Sequence, residues 1–422
     1  GYFYNVQQNS DSAIYFYNKS FEKDNSKYNG LYNIALIYSL SKNNNDSAII
    51  FIDKLLQINP KDTSSLLLKA RIFLNNEEYD KSENICLEAI KMLPNNYSFY
   101  EILAEIYLYT NEFDKAIINA DKVLLYEETN YVSIYVKANS LLYLKNYEKS
   151  YNTSIKASEI YPEDYIFYYF SAMSVFYMKK YEQSITFFDI AIEKNPEIPT
   201  LYYNKVLAEL YINSKQKLEN DKFTEFNTDK ISEIEKTLTS KKSIYNYESL
   251  LKKFENEPLK LGYDDFFALY FGKSLNKNYS GYSKSLLKYS FEQKYNSGDY
   301  DGCIKEALSA IENDYTYFGA YDYLMGAYFQ KRDYANFYKY YYIYTGFMKG
   351  IFMTGNGDSD KSGLIITSVT DEYSFLSFFG LIFESQQLIQ SKNHTFDVLI
   401  VDDKELFPKG VYFIIDSFFG KF

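Results

Sequence analysis

Three stretches of this 422-residue chain combine residue types that could carry chemistry. In "MTGNGDSDKSG" at 353–363 the glycines could turn backbone N–H groups onto an anion, but a phosphate loop ends in Gly-Lys-Ser/Thr after a strand. This segment follows a helical pattern and precedes a β-branched run, so the order is wrong. As a calcium loop it offers Asn356, Asp358 and Asp360 at alternate positions, yet Lys361 replaces the turn glycine and Thr367 stands where a bidentate Glu is needed. A connecting turn is expected. His394, the only histidine, lies in "SKNHTF" with no evident partner and reads as a polar turn residue; with two distant cysteines it cannot complete a zinc set. Asp371 and Glu372 are adjacent at the start of a helix, where acids cap amides, whereas a glycosidase needs two carboxylates about 5–9.5 Å apart across a sugar. No catalytic set, metal or cofactor is expected. An enzyme of unknown reaction in the C-terminal domain, near 354–372, is kept as an alternative.

The totals favour helices. Tyr (49) and Phe (34) are abundant and Gly (17) and Pro (7) scarce, a balance suited to long elements with short connections. A net charge of −11 would repel a phosphate backbone, and no Lys/Arg cluster offsets it, so nucleic acid is not an expected partner. Cys86 and Cys303 fall on apolar helix faces and are expected as buried free thiols. No run reaches the roughly 18 apolar residues of a membrane span. The sequence begins at Gly1 in mid-pattern, which is read as either a removed leader or an engineered truncation.

The elements that would position any site show themselves by period. Ala48, Ser82, Ala116, Ser150 and Ser184 follow one another at 34-residue intervals. Four residues on come Ile52, Cys86, Ala120, Ser154 and Phe188, and three further Leu55, Ala89, Val123, Ala157 and Ala191. An upstream helix carries Ala35, Ala70, Ala104, Ala138 and Ala172, and an aromatic opens the second helix at Tyr79, Phe113, Tyr147 and Tyr181. Proline or Glu closes each unit, at Pro60, Pro94, Glu128, Pro162 and Pro196. Helices approach to roughly 8–10 Å only where side chains at the crossing are short, which explains the slim face of "YEKSYNTSIKASEIYP".

This pattern resembles the tetratricopeptide repeat, with Tyr and Phe where that family usually has Trp. The resemblance implies a mostly α chain: an α-solenoid of about six helix hairpins over 1–213, the first partial. Residues 214–244 read as a charged linker or insertion. A C-terminal domain over 245–422 is expected to hold degenerate hairpins to about 350 and then a small βαββ cap at 363–422, in which "DEYSFLSFFGLIFESQQLIQ" forms one long helix.

Repeats of this kind generally bind protein on the inner face of the solenoid. That face would present Tyr135, Tyr169 and Tyr203 in one row and Tyr109, Tyr143, Tyr177 and Tyr211 in a second. The plainer reading is that these rings pack against adjacent hairpins. Leu67, Glu101 and Tyr135, followed by Arg71, Glu105 and Asn139, do not match a carboxylate clamp, and Glu101 with Glu105 favours a basic or neutral ligand. The expected role is a non-catalytic protein- or peptide-binding scaffold. A glycan-binding surface protein is the further alternative, disfavoured by the lack of Trp.

From about residue 245 the chain resembles an uncharacterised bacterial family, domain of unknown function 4919. The resemblance rests on "LYFG" (269–272), "TGNGDS" (354–359), "DEY" (371–373) with Gln386 and Gln387 on the same helix, and "VYFIID". It implies a fold relationship and an exported, periplasmic or cell-surface location, but no chemistry.

Overall fold

The computed structural model describes residues 10–24, 28–214, 218–219, 222–223, 231–276, 279, 290–391, 394–403, 407 and 409–416. Of the expected linker, 215–217, 220–221 and 224–230 lie outside these, while Ile231–Thr239 forms a helix that buries Ile234 and Leu238. The chain forms two compact units, Gly1–Met178 and Lys179–Phe422.

In the first unit the 34-residue period becomes a succession of antiparallel helix pairs. First helices run Thr63–Asn75, Tyr97–Tyr109, Tyr131–Tyr143 and Tyr165–Tyr177; second helices run Asn45–Ile58, Tyr79–Met92, Phe113–Leu124 and Tyr147–Ile160. Each of these first helices starts on a side-chain cap, at Asp62, Asn96, Asn130 and Asp164, whose oxygen accepts an N–H two or three residues on. The small residues at the helix crossings are buried: Ala35, Ala48, Ala70, Ser82, Ala104, Ala116, Ala138, Ser150 and Ala172 show no exposed surface. Where serine replaces alanine at the crossing, its hydroxyl is satisfied by the facing helix. Ser82 Oγ donates to the Ala70 carbonyl at 2.7 Å and Ser150 Oγ to that of Ala138 at 2.8 Å.

The turns inside the hairpins share one geometry. Asn43, Glu77, Asn111 and Lys145, again 34 apart, adopt φ of +48°, +63°, +61° and +59°. After Glu77, Asn111 and Lys145 the next N–H reaches back to the carbonyls of Phe73, Tyr107 and Leu141 at 2.7–2.8 Å, closing a Schellman motif. A left-handed residue without glycine costs on the order of 1 kcal/mol, and these turns carry that strain at every step.

The second unit begins with helices Tyr181–Lys194 and Pro199–Asn213 and a two-stranded ribbon, β1 (Leu218–Glu219) with β2 (Lys222–Phe223). Its centre is helix Tyr263–Lys273, whose residues 263–272 are all buried. Helix Tyr334–Phe352 lies against it because Gly346 and Gly350 leave room: a Cβ on Gly346 would stand 2.2 Å from the Phe266 ring, and one on Gly350 2.6 Å from the Tyr263 carbonyl oxygen. The degenerate hairpin Tyr300–Asn313 with Gly319–Gln330 keeps the repeat's rule, burying Cys303, Ala307 and Ala310 three, seven and ten residues after its opening tyrosine.

The cap contains one strand more than expected. β3 (Leu364–Ile365) pairs in parallel with β6 (Val411–Ile414), which pairs antiparallel with β5 (Thr395–Val401), and β5 pairs antiparallel with β4 (Phe383–Gln390). The long helix expected over "DEYSFLSFFGLIFESQQLIQ" is therefore corrected to helix Val369–Phe378 followed by β4. Gly380 is the reason: at φ +69° it caps the helix while Leu381 N–H bonds back to the Leu376 carbonyl. Gln386 and Gln387 consequently sit on a strand, not on the helix of Asp371.

Two substitutions test these packing rules. Lys145→Gly should raise stability by about 1 kcal/mol by relieving the left-handed turn, read as a higher urea midpoint of the helical signal. Gly350→Ala should lower it by about 1–3 kcal/mol through overpacking.

Candidate functional site

Four of the expected tyrosines meet in the first unit. Tyr135, Asn139, Leu142 and Tyr143 from helix Tyr131–Tyr143, with Lys145 and Tyr147 beyond its turn, face Ile166, Tyr169, Phe170, Met173 and Tyr177 of helix Tyr165–Tyr177 across an open cleft of about 460 Å³. Tyr135 and Tyr169 are half-buried at its floor, while Tyr143 and Tyr177 stand 62% and 48% exposed. Tyr135 hydrogen-bonds Asn139. Burial pushes the Tyr169 hydroxyl up to about 12 and raises those of Tyr135 and Tyr177, so all three phenols are neutral around pH 7. The surface they offer is apolar with hydroxyls that donate and accept, and Lys145 supplies the cation in its lining.

The outer row has a second duty. Tyr109 stacks on Tyr79 (6.1 Å between centroids), Tyr143 on Phe113 (4.8 Å) and Tyr177 on Tyr147 (5.0 Å), in each case joining the end of one first helix to the start of the preceding second helix. Each ring spends one face on a neighbouring hairpin. Tyr109 nevertheless remains 57% exposed.

Glu101 and Glu105 are not open charges. Arg71 of the preceding hairpin bridges both carboxylates, at 3.2 Å from Glu101 Oε1 and in direct contact with Glu105 Oε1, and Asn130 Nδ2 donates to Glu101 Oε2 at 2.8 Å. Burial raises the Glu105 carboxyl and Arg71 opposes that rise. The Arg71 signal was present in the sequence as a residue of the same 34-spaced set.

Tyr203 and Tyr211 belong to the second unit and are covered there by its own chain. Tyr203 lies 6.3 Å from Tyr341 and 6.4 Å from Phe378, with the Lys349 ammonium 5.9 Å from its centroid. Tyr211 stacks on Tyr181 at 5.0 Å and meets the edge of Tyr263 at 5.6 Å.

The stretches first considered for chemistry are tied into the cap. Asp358 Oδ1 accepts from the hydroxyls of Ser359 and Ser362, Asp358 Oδ2 from Asn356, and Tyr412 N–H of β6 donates to the Gly357 carbonyl at 2.8 Å. Gly357, at φ +71°, faces Leu364 and Val411. His394 has a partner that the sequence did not reveal: its Nδ1 lies 2.5 Å from Asp416 Oδ2, and Asp416 Oδ1 accepts the Thr395 N–H.

The acid pair is a buried polar cluster. Tyr270 Oη donates to Asp371 Oδ2 at 2.8 Å and accepts the Thr367 N–H at 2.7 Å. Glu372 is fully buried, and among the described residues no N–H or hydroxyl group donates to either of its oxygens or to Oδ1 of Asp397. Burial, and then the adjacent Asp397 carboxylate, push the Glu372 carboxyl up to about 10. The protonated Glu372 thus acts as hydrogen-bond donor to Asp397, whose other oxygen accepts from Gln386 of β4. Sequence reasoning missed this set because Asp397 and Gln386 reach it from separate strands.

Two family models and several solved structures are similar to parts of the chain. Residues 41–122 and 110–190 match the family model described as anaphase-promoting complex, cyclosome, subunit 3. The chain carries tetratricopeptide repeats. Residues 232–421 match the model of domain of unknown function (DUF4919). Among solved structures, the tetratricopeptide-repeat protein YrrB, described as having an unusual peptide-binding site, is similar at 16% identity and TM-score 0.40, over 45% of this chain and 97% of its own. A tetratricopeptide-repeat protein from Parabacteroides merdae is similar at 14% identity and TM-score 0.40, over 71% of this chain and 98% of its own. No curated protein sequence matches the chain.

The Glu372 proton gives the second unit a pH signature. Between about pH 4.5 and 10 the folded state holds a proton that the unfolded chain has released, so stability falls as pH rises through that window. Glu372→Gln, which keeps a neutral donor at the site, should flatten the fall of unfolding free energy with pH, removing on the order of a few kcal/mol of the change between pH 5.5 and 8.5. An unchanged slope in urea melts would count against the assignment.

Proposed function

We propose that the chain is a non-catalytic scaffold that binds a protein segment in the tyrosine-lined cleft of its first unit. One observation carries the reading: Tyr135, Tyr143, Tyr169 and Tyr177, from two successive first helices, line a single open cleft. Rigid aromatic side chains with a polar tip give large contact area at low entropic cost, which suits recognition of an extended or helical peptide.

The chemistry of the partner has an internal precedent. Tyr203 occupies the repeat position of Tyr135 and Tyr169, and in the second unit it is met by an aromatic side chain from each of two helices and by a lysine ammonium. A partner for the cleft would offer the same groups, Tyr or Phe with a Lys placed over a ring. Cation–π contact and aromatic packing supply about 0.5–2 kcal/mol each. The net charge of −11 favours a basic segment over an acidic one.

Panning a random peptide library on the full chain should enrich sequences that pair aromatic residues with lysine. Fluorescence anisotropy of the enriched peptides should then show affinity reduced roughly 10- to 100-fold by Tyr135→Ala/Tyr169→Ala, as for loss of central aromatic anchors. Peptides that bind the double variant as tightly as the parent would remove the cleft from the reading.

A further inference from the structure

The edge of the C-terminal sheet is unprotected over most of its length. β4 is the outermost strand in the order β3-β6-β5-β4, and among the described residues nothing pairs with its outer side. Its residues are exposed on both faces, apart from half-buried Ile389; Leu388 stands 67% exposed, Phe383 40%, and the adjoining Ile382 65%. Edge strands are ordinarily guarded by lysine, proline, a bulge or a covering element. β4, "FESQQLIQ", has no lysine or proline, and its one irregularity lies between Phe383 and Ser385. From Ser385 to Gln390 it pairs continuously with β5 and presents a flat row of outward N–H and C=O groups.

The geometry points to antiparallel pairing of β4 with β4 of a second copy of this chain, joining two four-stranded sheets into one. The charge pattern selects this occupant. Glu384 is the sole charged residue of the strand, so self-pairing places like charges opposite each other only where Glu384 faces itself. Outward backbone groups on one strand belong to alternate residues, and in a symmetric antiparallel pair they must face residues of the same parity. The two registers with greatest overlap place the two-fold axis at Gln386 or at Gln387. Glu384 then lies opposite Leu388 or Gln390, and a glutamine amide meets its own copy at the axis. Both registers are free of repulsion.

Sedimentation velocity of the full chain across a concentration series should show a rise from one chain mass to two. The variant Gln387→Glu/Leu388→Glu alters two exposed side chains and sets like charges opposite each other in either register. With the axis at Gln387 the carboxylate introduced there faces its own copy, and with the axis at Gln386 the carboxylate introduced at Leu388 faces Glu384. The variant should lose the dimer while keeping the parent's circular dichroism and thermal midpoint. Independently, one of Gln386→Cys and Gln387→Cys should yield a disulfide-linked pair under mild oxidation, identifying the axis; Cys86 and Cys303 are buried and leave the background silent. A parent that stays monomeric throughout, a dimer untouched by the charged variant, or failure of both cysteine variants to cross-link would overturn the proposal.

Discussion

The closeness of paired helices is the constraint on which this chain depends. At each crossing in the first unit the side chain is Ala or Ser with no exposed surface, and the serines return their hydroxyl to a carbonyl on the facing helix. A larger residue there would force the helices apart by ångströms, because interiors at crystal-like density have no slack to absorb a methylene. One hairpin alone cannot bury its outer face, so each crossing also fixes where the next hairpin lands.

The second unit meets the same constraint by other means. Around the buried helix Tyr263–Lys273 the slim positions are Gly346 and Gly350, one turn apart on a helix otherwise crowded with tyrosine and phenylalanine. Glycine there is a packing choice, since neither residue adopts a left-handed φ. The buried acids are placed just as deliberately. Asp371 is held by a tyrosine hydroxyl, and Glu372 escapes the cost of a buried charge by staying protonated beside Asp397.

What the sequence made legible was whatever recurs. Spacing of 34 residues disclosed the hairpins, their small crossing residues and the tyrosine rows, since a periodic fold writes one packing rule many times. It also placed Tyr135, Tyr143, Tyr169 and Tyr177 on one face, which the cleft unites. Single events were harder to read. Gly380 ends a helix that apolar spacing would have continued, and β4 was hidden behind that continuation. The partnership of His394 with Asp416 and of Glu372 with Asp397 needs sheet register, which no local pattern encodes. Glu101 and Glu105 looked available because their neutralising Arg71 lies 30 and 34 residues away and closes on them only once the hairpins stack.

The stacked rings at the hairpin turns have a mechanical consequence. Tyr143 and Tyr177 each fasten their hairpin to the one before it and also border the cleft. A guest that gripped either ring, as proposed, would therefore load a fastening between hairpins. In the proposed scaffold, the stiffness of neighbouring hairpins would then depend on whether the cleft is occupied.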